Sequence, residues 1–449
     1  MKKYKKVLVA NRGEIAVRII RALKEMGIKA VALYTDVEKE APYLRLADQK
    51  VCIGNPREKG YLDTYKILSA AETFKVDAIH PGIGFLAESA NFARLCEKSN
   101  IDLIGPGSKL INLMGDKNTA KKVAKDCGVS VVEGTSIPVN SYKECEKLAD
   151  DIGFPLVLKA THGGGGKGIR FVDKKEELKR NFELCIKESN AAFNSNEILI
   201  EKAIYGFKHI EVQILADMYG NAIHLGDREC TIQRSNQKLI EEARCASINA
   251  ELREKLYEDS LRIVNKIGYV GPGTVEFLVL PDNTYYFMEM NTRLQVEHTV
   301  TELITGVDLV KEQISIAEAN KLNYAQQDID FDGYALQCRI IAENPLNNFT
   351  PSLGKITSLN LPGGFNVRVE SGYLSENLIS PYFDSLILKV CCRDQDKCKA
   401  VKKMLVSLDE LMIEGVHTNT EFLKKILSKD VFLHGVYTHK FIEEMVNEI

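Results

Sequence analysis

No apolar stretch of about 18 residues occurs in the 449-residue chain, which excludes a membrane-crossing helix of ordinary length. The basic start, MKKYKKVLVA, carries an apolar run too short for a secretory leader. CxxC spacing is missing too. The eleven cysteines are odd in number and irregularly spaced, and the adjacent Cys391 and Cys392 cannot easily bridge without strain, so neither a zinc ribbon nor a disulfide framework is indicated. This is the cysteine usage of a reduced, cytoplasmic protein. A strong charge of one sign is lacking. The net charge is -3, with lysines and acids alternating, and nucleic-acid binding by counterion release needs a concentrated basic surface. The first strand-to-helix turn, Ala10-Asn11-Arg12-Gly13-Glu14, has one glycine instead of the three of a dinucleotide fingerprint, which argues against NAD.

What is present is an α/β pattern long enough for two or three domains, with 45% apolar residues to build their cores. Strand-like VLVA at 7–10 leads into a helix over 14–26 that ends at Gly27, with Ile15, Ile19 and Leu23 as its buried stripe. Further strands follow in IKAVALY, in DAIHP at 77–81 and in IDLIG at 101–105, a parallel sheet with covering helices. The style changes near Gly115. A helix over 118–127 and the strand FPLVLKA lead to His162-Gly163-Gly164-Gly165-Gly166-Lys167-Gly168 and the strand IRFV. Four successive glycines let backbone N–H groups approach a polyphosphate. The loop is not a P-loop, because Lys167 is followed by Gly168 and strand joins strand; a glycine-rich hairpin of this kind can act as a lid over nucleotide. Lys159, at the end of its strand, and Lys117 supply cations for phosphate.

Glu276 and Glu289 lie in two apolar runs, GTVEFLVL and TYYFMEMN, joined by Pro281-Asp282-Asn283. If Asp282-Asn283 is a two-residue turn, Pro281 pairs with Thr284, Leu280 with Tyr285 and Glu276 with Glu289. Bare carboxylates about 4 Å apart repel by roughly 4 kcal/mol at an effective dielectric near 20, and a shared divalent cation removes that repulsion. Strand alternation places Asn291 beside Glu289 as a third oxygen ligand, a donor set that suits magnesium or manganese. In KHIEVQILAD, His209, Glu211 and Gln213 share one strand face, and Ile210, Val212 and Ile214 the other. Residues 293–297, if extended, place Arg293, Gln295 and Glu297 on one side, where the planar fork of Arg293 suits an anion of carboxylate shape such as bicarbonate.

The chain resembles biotin carboxylase, of the ATP-grasp superfamily, through VLVANRGEIAVRI, HPGIGFLAES, LMGDK, VLKATHGGGGKG, KHIEVQILAD, GTVEFL, FMEMNTRLQVEH and PSLGKI, over essentially its whole length. The resemblance implies an amino-terminal doubly wound domain over 1–114 and an ATP-grasp domain over 115–330, with a mobile glycine-rich lid over about 131–203. A biotin carboxylase carboxyl-terminal domain over 331–449 completes it. It implies ATP with two magnesium or manganese ions, the phosphates on Lys117, Lys159, Gly165 and Gly166, and the adenine beside Glu201, Lys202, Ala203 and Ile204. His209 and Asn236 belong to the same nucleotide site. Lys238 is expected on the γ-phosphate and bicarbonate, Arg293, Gln295 and Val296 around bicarbonate and biotin, Glu297 as the base and Arg339 on the biotin enolate oxygen.

The chain departs from the family pattern in three places. Ile83 stands where the family has Tyr near the expected biotin pocket, Asn236 replaces a His, and Thr161-His162 lie where the loop ordinarily carries a small residue and a further glycine, so a stiffer entry to the lid is expected. No Met-Lys-Met for biotinylation occurs, and Lys402-Lys403-Met404 lies in a helical pattern, so biotin is expected on a separate biotin carboxyl carrier protein. Carboxyltransferase subunits are the further partners, and the family's usual state is a homodimer. A different ATP-grasp ligase would share the acid pair and glycine lid but lack Arg293, Glu297 and Arg339 together, and a noncatalytic ATP-binding regulator would have lost Glu276, Glu289 or Glu297.

Overall fold

The computed structural model describes residues 3–135, 137–160, 169–193 and 196–446. Strands β1 (Lys6–Val9), β2 (Lys29–Tyr34), β3 (Gln49–Cys52), β4 (Ala78–His80) and β5 (Asp102–Leu103) form a parallel sheet in the order β3-β2-β1-β4-β5. The chain winds outward on both sides of β1, the doubly wound arrangement expected from the alternation. Helix α1 (Gly13–Glu25) buries Ile15, Ile19 and Leu23 and stops at Met26, with Gly27 left-handed at φ 74°. The Asn11 side-chain amide donates to the carbonyls of Pro81 (2.7 Å) and Ile83 (2.8 Å), tying together the loops after β1 and β4. Gly82 is required between them: its φ is +65°, and a Cβ there would lie 2.7 Å from Asn11 Nδ2.

Helix α2 (Lys117–Asp126) is capped by Asp116, which accepts from Thr119 N at 2.8 Å. Strands β6 (Leu156–Ala160), β7 (Ile169–Val172) and β8 (Ile198–Lys202) make a small antiparallel sheet in the order β7-β6-β8. Lys159 pairs with Ile169, so the glycine-rich segment links strand to strand as read from the sequence. Thr161, His162, Gly165 and Gly166 themselves lie outside the described residues.

The site is carried by a long antiparallel sheet that the central and carboxyl-terminal regions share. Its strands are β9 (Lys208–Ala216), β10 (Ala222–Arg234), β11 (Gln237–Ala243), β12 (Gly271–Val279), β13 (Tyr285–Asn291), β14 (Tyr334–Ile341), β15 (Val367–Ser371) and β16 (Leu386–Asp394). Their order is β13-β12-β9-β10-β11-β14-β16-β15, and Ile240 pairs with Cys338 where the two regions join. On one face Ile210, Val212 and Ile214 pack with Val275, Phe277 and Phe287. The other face of β9 carries His209, Glu211 and Gln213. All three are buried, which a half-exposed strand would not give.

The β12–β13 hairpin corrects the expected turn. Leu280 N donates to Thr284 O at 2.8 Å, so the loop has three residues, Pro281-Asp282-Asn283, with Asn283 left-handed at φ 66° and Asp282 Oδ1 accepting from Thr284 N. Val279, not Leu280, therefore pairs with Tyr285. A bulge then restores the register: Phe277 pairs with Phe287 but Glu276 with Glu289, leaving Met288 as the extra residue. Without the bulge Glu276 would face Met288 and Glu289 would point to the opposite side of the sheet.

Candidate active site

Helix α3 (His298–Thr305) begins immediately after Glu297, whose backbone (φ -85°, ψ 7°) is not extended. The alternation over 293–297 is thus not a strand. His298 N and Nδ1 both turn back onto the Gln295 carbonyl, at 3.3 and 2.7 Å, and close the segment into a turn. The turn still brings the expected groups together. Lys238 Nζ lies among three carboxylates, 2.6 Å from Glu297, 2.8 Å from Glu211 and 3.2 Å from Glu276. Arg339 binds Glu297 at 3.0 Å and also pairs with Glu241 on the neighbouring strand. Burial opposes ionisation of Glu297, but Lys238, Arg339 and Arg228 outweigh it and hold the carboxyl well below the usual range.

Glu276 is the hub of the acid pair. It takes His209 Nε2 at 2.9 Å on one oxygen, and Asn291 Nδ2 and Gln295 Nε2, each at 2.8 Å, on the other. Burial raises its pKa, but Lys238 and His209 prevail and leave it ionised. Glu289 is the opposite case. Lys117 stands off at 4.0 Å, and burial together with the Glu276 charge pushes its pKa up. Two opposed acids, one held charged and the other resisting ionisation, fit a divalent cation, whose binding would relieve the second. Asn291 is within reach, although it presents its nitrogen to Glu276 and its oxygen to Arg293 Nη2 at 3.0 Å.

Lys117 and Lys121 lie four residues apart on α2 and so project from one face of it. Lys117 approaches Glu289, and Lys121 pairs with Glu201, which also holds Lys159 Nζ at 2.5 Å. The helix thereby spans from the acid pair to the segment expected beside adenine. In that segment the amides of Lys202 and Ala203 already donate to Glu133 O (2.8 Å) and Pro155 O (2.9 Å). The Lys202 side chain bonds Gly153 O and Phe154 O at 3.0 and 2.8 Å, while Ile204 is half-buried. Asn236 is exposed in the β10–β11 turn, where Ser235 and Asn236 are both left-handed, at φ 49° and 63°; Asn is among the residues that tolerate this conformation.

Beside Arg339 a cavity of ≈ 150 Å³ is lined from all three regions, by Ile83 and Phe85, by Gln237 and Val296, and by Arg339 and Leu386. Buried Lys389 donates to Val296 O at 2.7 Å and pairs with Glu14 at 3.1 Å, joining β16, α1 and the turn before α3. Glu88 and Arg228 are site residues that sequence reasoning missed. Glu88 accepts from Thr292 N (3.1 Å) and Arg293 Nε (2.8 Å), so the Arg293 fork is held from the amino-terminal domain. The acid sits inside HPGIGFLAES and was visible as a charge in a loop. For Arg228 the signal was three successive charged residues, Asp227-Arg228-Glu229, inside a strand.

A sheet that carries an acid pair and clustered cations, in a chain whose β6 and β7 are joined by a glycine-rich sequence, defines an ATP-dependent ligase of ATP-grasp type. The family models extend this over the whole chain. "Biotin carboxylase, N-terminal domain" matches residues 3–111, "Carbamoyl-phosphate synthase L chain, ATP binding domain" residues 116–325 and "Biotin carboxylase C-terminal domain" residues 337–444. Biotin carboxylase 1 of Bacillus subtilis is 46% identical over 98% of both chains. A pyruvate carboxylase subunit from Methanothermobacter thermautotrophicus is also 46% identical, over 98% of this chain and 90% of that one. A biotin carboxylase–β,γ-ATP complex from Campylobacter jejuni superposes with TM-score 0.95 at 42% identity, covering 98% of this chain and 99% of the other. The biotin carboxylase domain dimer of Hydrogenobacter thermophilus 2-oxoglutarate carboxylase, with MgADP and bicarbonate, gives 0.94 at 45%, covering 99% and 98%. The chain belongs to the biotin carboxylase family.

Proposed function

We propose that this protein uses ATP and bicarbonate to carboxylate biotin on a separate biotin carboxyl carrier protein, the first half-reaction of an acetyl-CoA carboxylase. The observation that carries the reading is the convergence of Lys238 and Arg339 on Glu297, with Arg339 also lining a cavity built from three regions. Bicarbonate would lie between Arg293, Lys238, Gln295 and Val296, its proton passing to Glu297 as its oxygen attacks the γ-phosphate of ATP, giving ADP and carboxyphosphate. Lys117 and Lys159 would bind the phosphates together with Gly165 and Gly166, and His209 and the 201–204 segment would hold the nucleoside. Asn236, exposed at its turn, would reach the nucleotide with an uncharged amide. Magnesium or manganese held by Glu276, Glu289 and Asn291 would neutralise phosphate charge during transfer. Carboxyphosphate breaks down to carbon dioxide and phosphate, the phosphate takes the ureido proton of biotin, and the enolate attacks carbon dioxide with its oxygen on Arg339.

A second reading keeps this chemistry and changes the final acceptor. The equal 46% identity to the B. subtilis biotin carboxylase and to the archaeal pyruvate carboxylase subunit supports a role in a two-subunit pyruvate or other acyl-CoA carboxylase. A homodimer working in the cytoplasm with carboxyltransferase subunits completes the proposal; no helix among the described residues is long and apolar enough to cross a membrane. The test measures bicarbonate-dependent ADP release with and without free biotin, then carboxylation of candidate carrier proteins from the same cell. Biotin stimulation is expected. ADP release indifferent to biotin would point to another ligase, and the carrier that is carboxylated assigns the acceptor.

A further inference from the structure

Arg228 is fully buried on β10, and every donor of its guanidinium is used. Nε binds Glu211, Nη1 binds Gln213 Oε1 (2.7 Å) and Thr301 Oγ1 (2.9 Å), and Nη2 binds Gln295 Oε1 (2.7 Å) and Thr274 Oγ1 (3.3 Å). Five N–H groups thus meet five acceptors contributed by β9, β12, the turn before α3 and α3 itself. Arg228 has no proposed contact with substrate itself, but two of its partners reach the residues that do, or belong to them. Glu211 holds Lys238 at 2.8 Å, and Gln295 Nε2 donates to Glu276 at 2.8 Å.

We infer that Arg228 is a positioning residue that fixes which end of the Gln295 amide faces the anion. Arginine has donors only, so the atom of Gln295 turned to it is the carbonyl oxygen; an ionised carboxylate has acceptors only, so the atom turned to Glu276 is the NH₂. The amide cannot flip without setting donor against donor at one end and oxygen against oxygen at the other. Bicarbonate would therefore meet a wall of donors, from Arg293, Lys238 and the Gln295 nitrogen. With Arg228 shortened, the Gln295 oxygen loses the donor that anchors it, and the amide nitrogen is no longer held in place toward the anion. The inference rests on the proposed place of Gln295 in the bicarbonate subsite.

Steady-state kinetics of the full chain with free biotin test it, varying bicarbonate and ATP separately. Arg228→Lys is expected to raise the KM for bicarbonate about tenfold, the size of one hydrogen bond to a charged group, and to leave the KM for ATP within about twofold. In a Gln295→Met background the same change is expected to add nothing further. Equal rises in both KM values, or additive effects in the double variant, overturn the inference. If Arg228→Lys does not fold, as read by the ADP-induced shift in melting temperature, two single variants decide. Gln295→Glu keeps the Arg228 bond but turns an acceptor outward, so it is expected to have a bicarbonate KM at least about tenfold above that of Gln295→Met. A KM for the Glu variant equal to or below that of the Met variant overturns the inference as well. Wild-type protein without bicarbonate-dependent ADP release would instead defeat the proposed activity, and this inference with it.

Discussion

Lys238 Nζ is 2.6 Å from Glu297 Oε1, nearer than to Glu211 or Glu276, so the proposed base is clamped by a cation before any substrate arrives. A carboxylate held this far below its usual range is a poor proton acceptor. Substrate anions that draw Lys238 and Arg339 to themselves would loosen the clamp and raise the basicity of Glu297 at the moment it is needed. Glu297→Gln is accordingly expected to lower bicarbonate-dependent turnover by about 10²- to 10⁴-fold, the usual contribution of a general base. ADP affinity, measured by calorimetry, should stay close to wild type; full turnover in the variant would remove Glu297 from this role.

Glu289 has little to lose when metal is absent, because burial and Glu276 both disfavour its charge. Glu289→Gln should leave the melting temperature of metal-free protein unchanged or slightly raised. It should also abolish most of the stabilisation that magnesium with ADP gives the wild type, and raise the magnesium concentration for half-maximal activity about tenfold or more. An unchanged magnesium requirement would contradict the hairpin site.

Lys389 has no exposed surface and supports both Glu14 and the Val296 carbonyl. Lys389→Met leaves a buried carboxylate without its partner and is expected to destabilise by about 3–5 kcal/mol in denaturant titrations. Adding Glu14→Gln should recover part of that loss, since the uncompensated charge is removed. A double variant no more stable than the single one would show that the pair is not coupled.

His80 is buried and neutral, its pKa pushed down to about 3 by burial and the nearby Arg18 charge. A histidine whose folded pKa lies below its unfolded value near 6.5 contributes stability that is complete above that pH. The contribution is lost as the pH falls toward 3. Between pH 6.5 and 5 this one site should cost about 2 kcal/mol. His80→Asn keeps an acceptor for the Gly82 N–H, which now donates to His80 Nδ1 at 3.1 Å. The variant should lose correspondingly less stability over the same interval, as read from denaturant midpoints, and a slope equal to wild type would assign the acid sensitivity elsewhere.

Periodicity carried much of the fold in readable form. The stripe Ile15, Ile19, Leu23 and the two faces of β9 follow from side-chain direction alone, and both are present. Features set by contact between distant segments were not readable. Glu88 and Arg293 are 205 positions apart, and no local pattern states that a loop acid will close on an arginine from another domain. Alternation over 293–297 could not separate a strand from a turn, since both can place polar side chains on one side; the bonds from His298 to the Gln295 carbonyl decided it. The facing of Glu276 and Glu289 was anticipated from a loop one residue too short, and the extra residue at Met288 restored the result.

That compensation has a further consequence for this edge hairpin. The bulge works as a slip joint between two lengths of ladder, one governed by the solvent-facing tip and one by the acids. Changes in tip length among related chains can be absorbed at the joint, so drift in an exposed loop need not propagate into the chemistry beneath it.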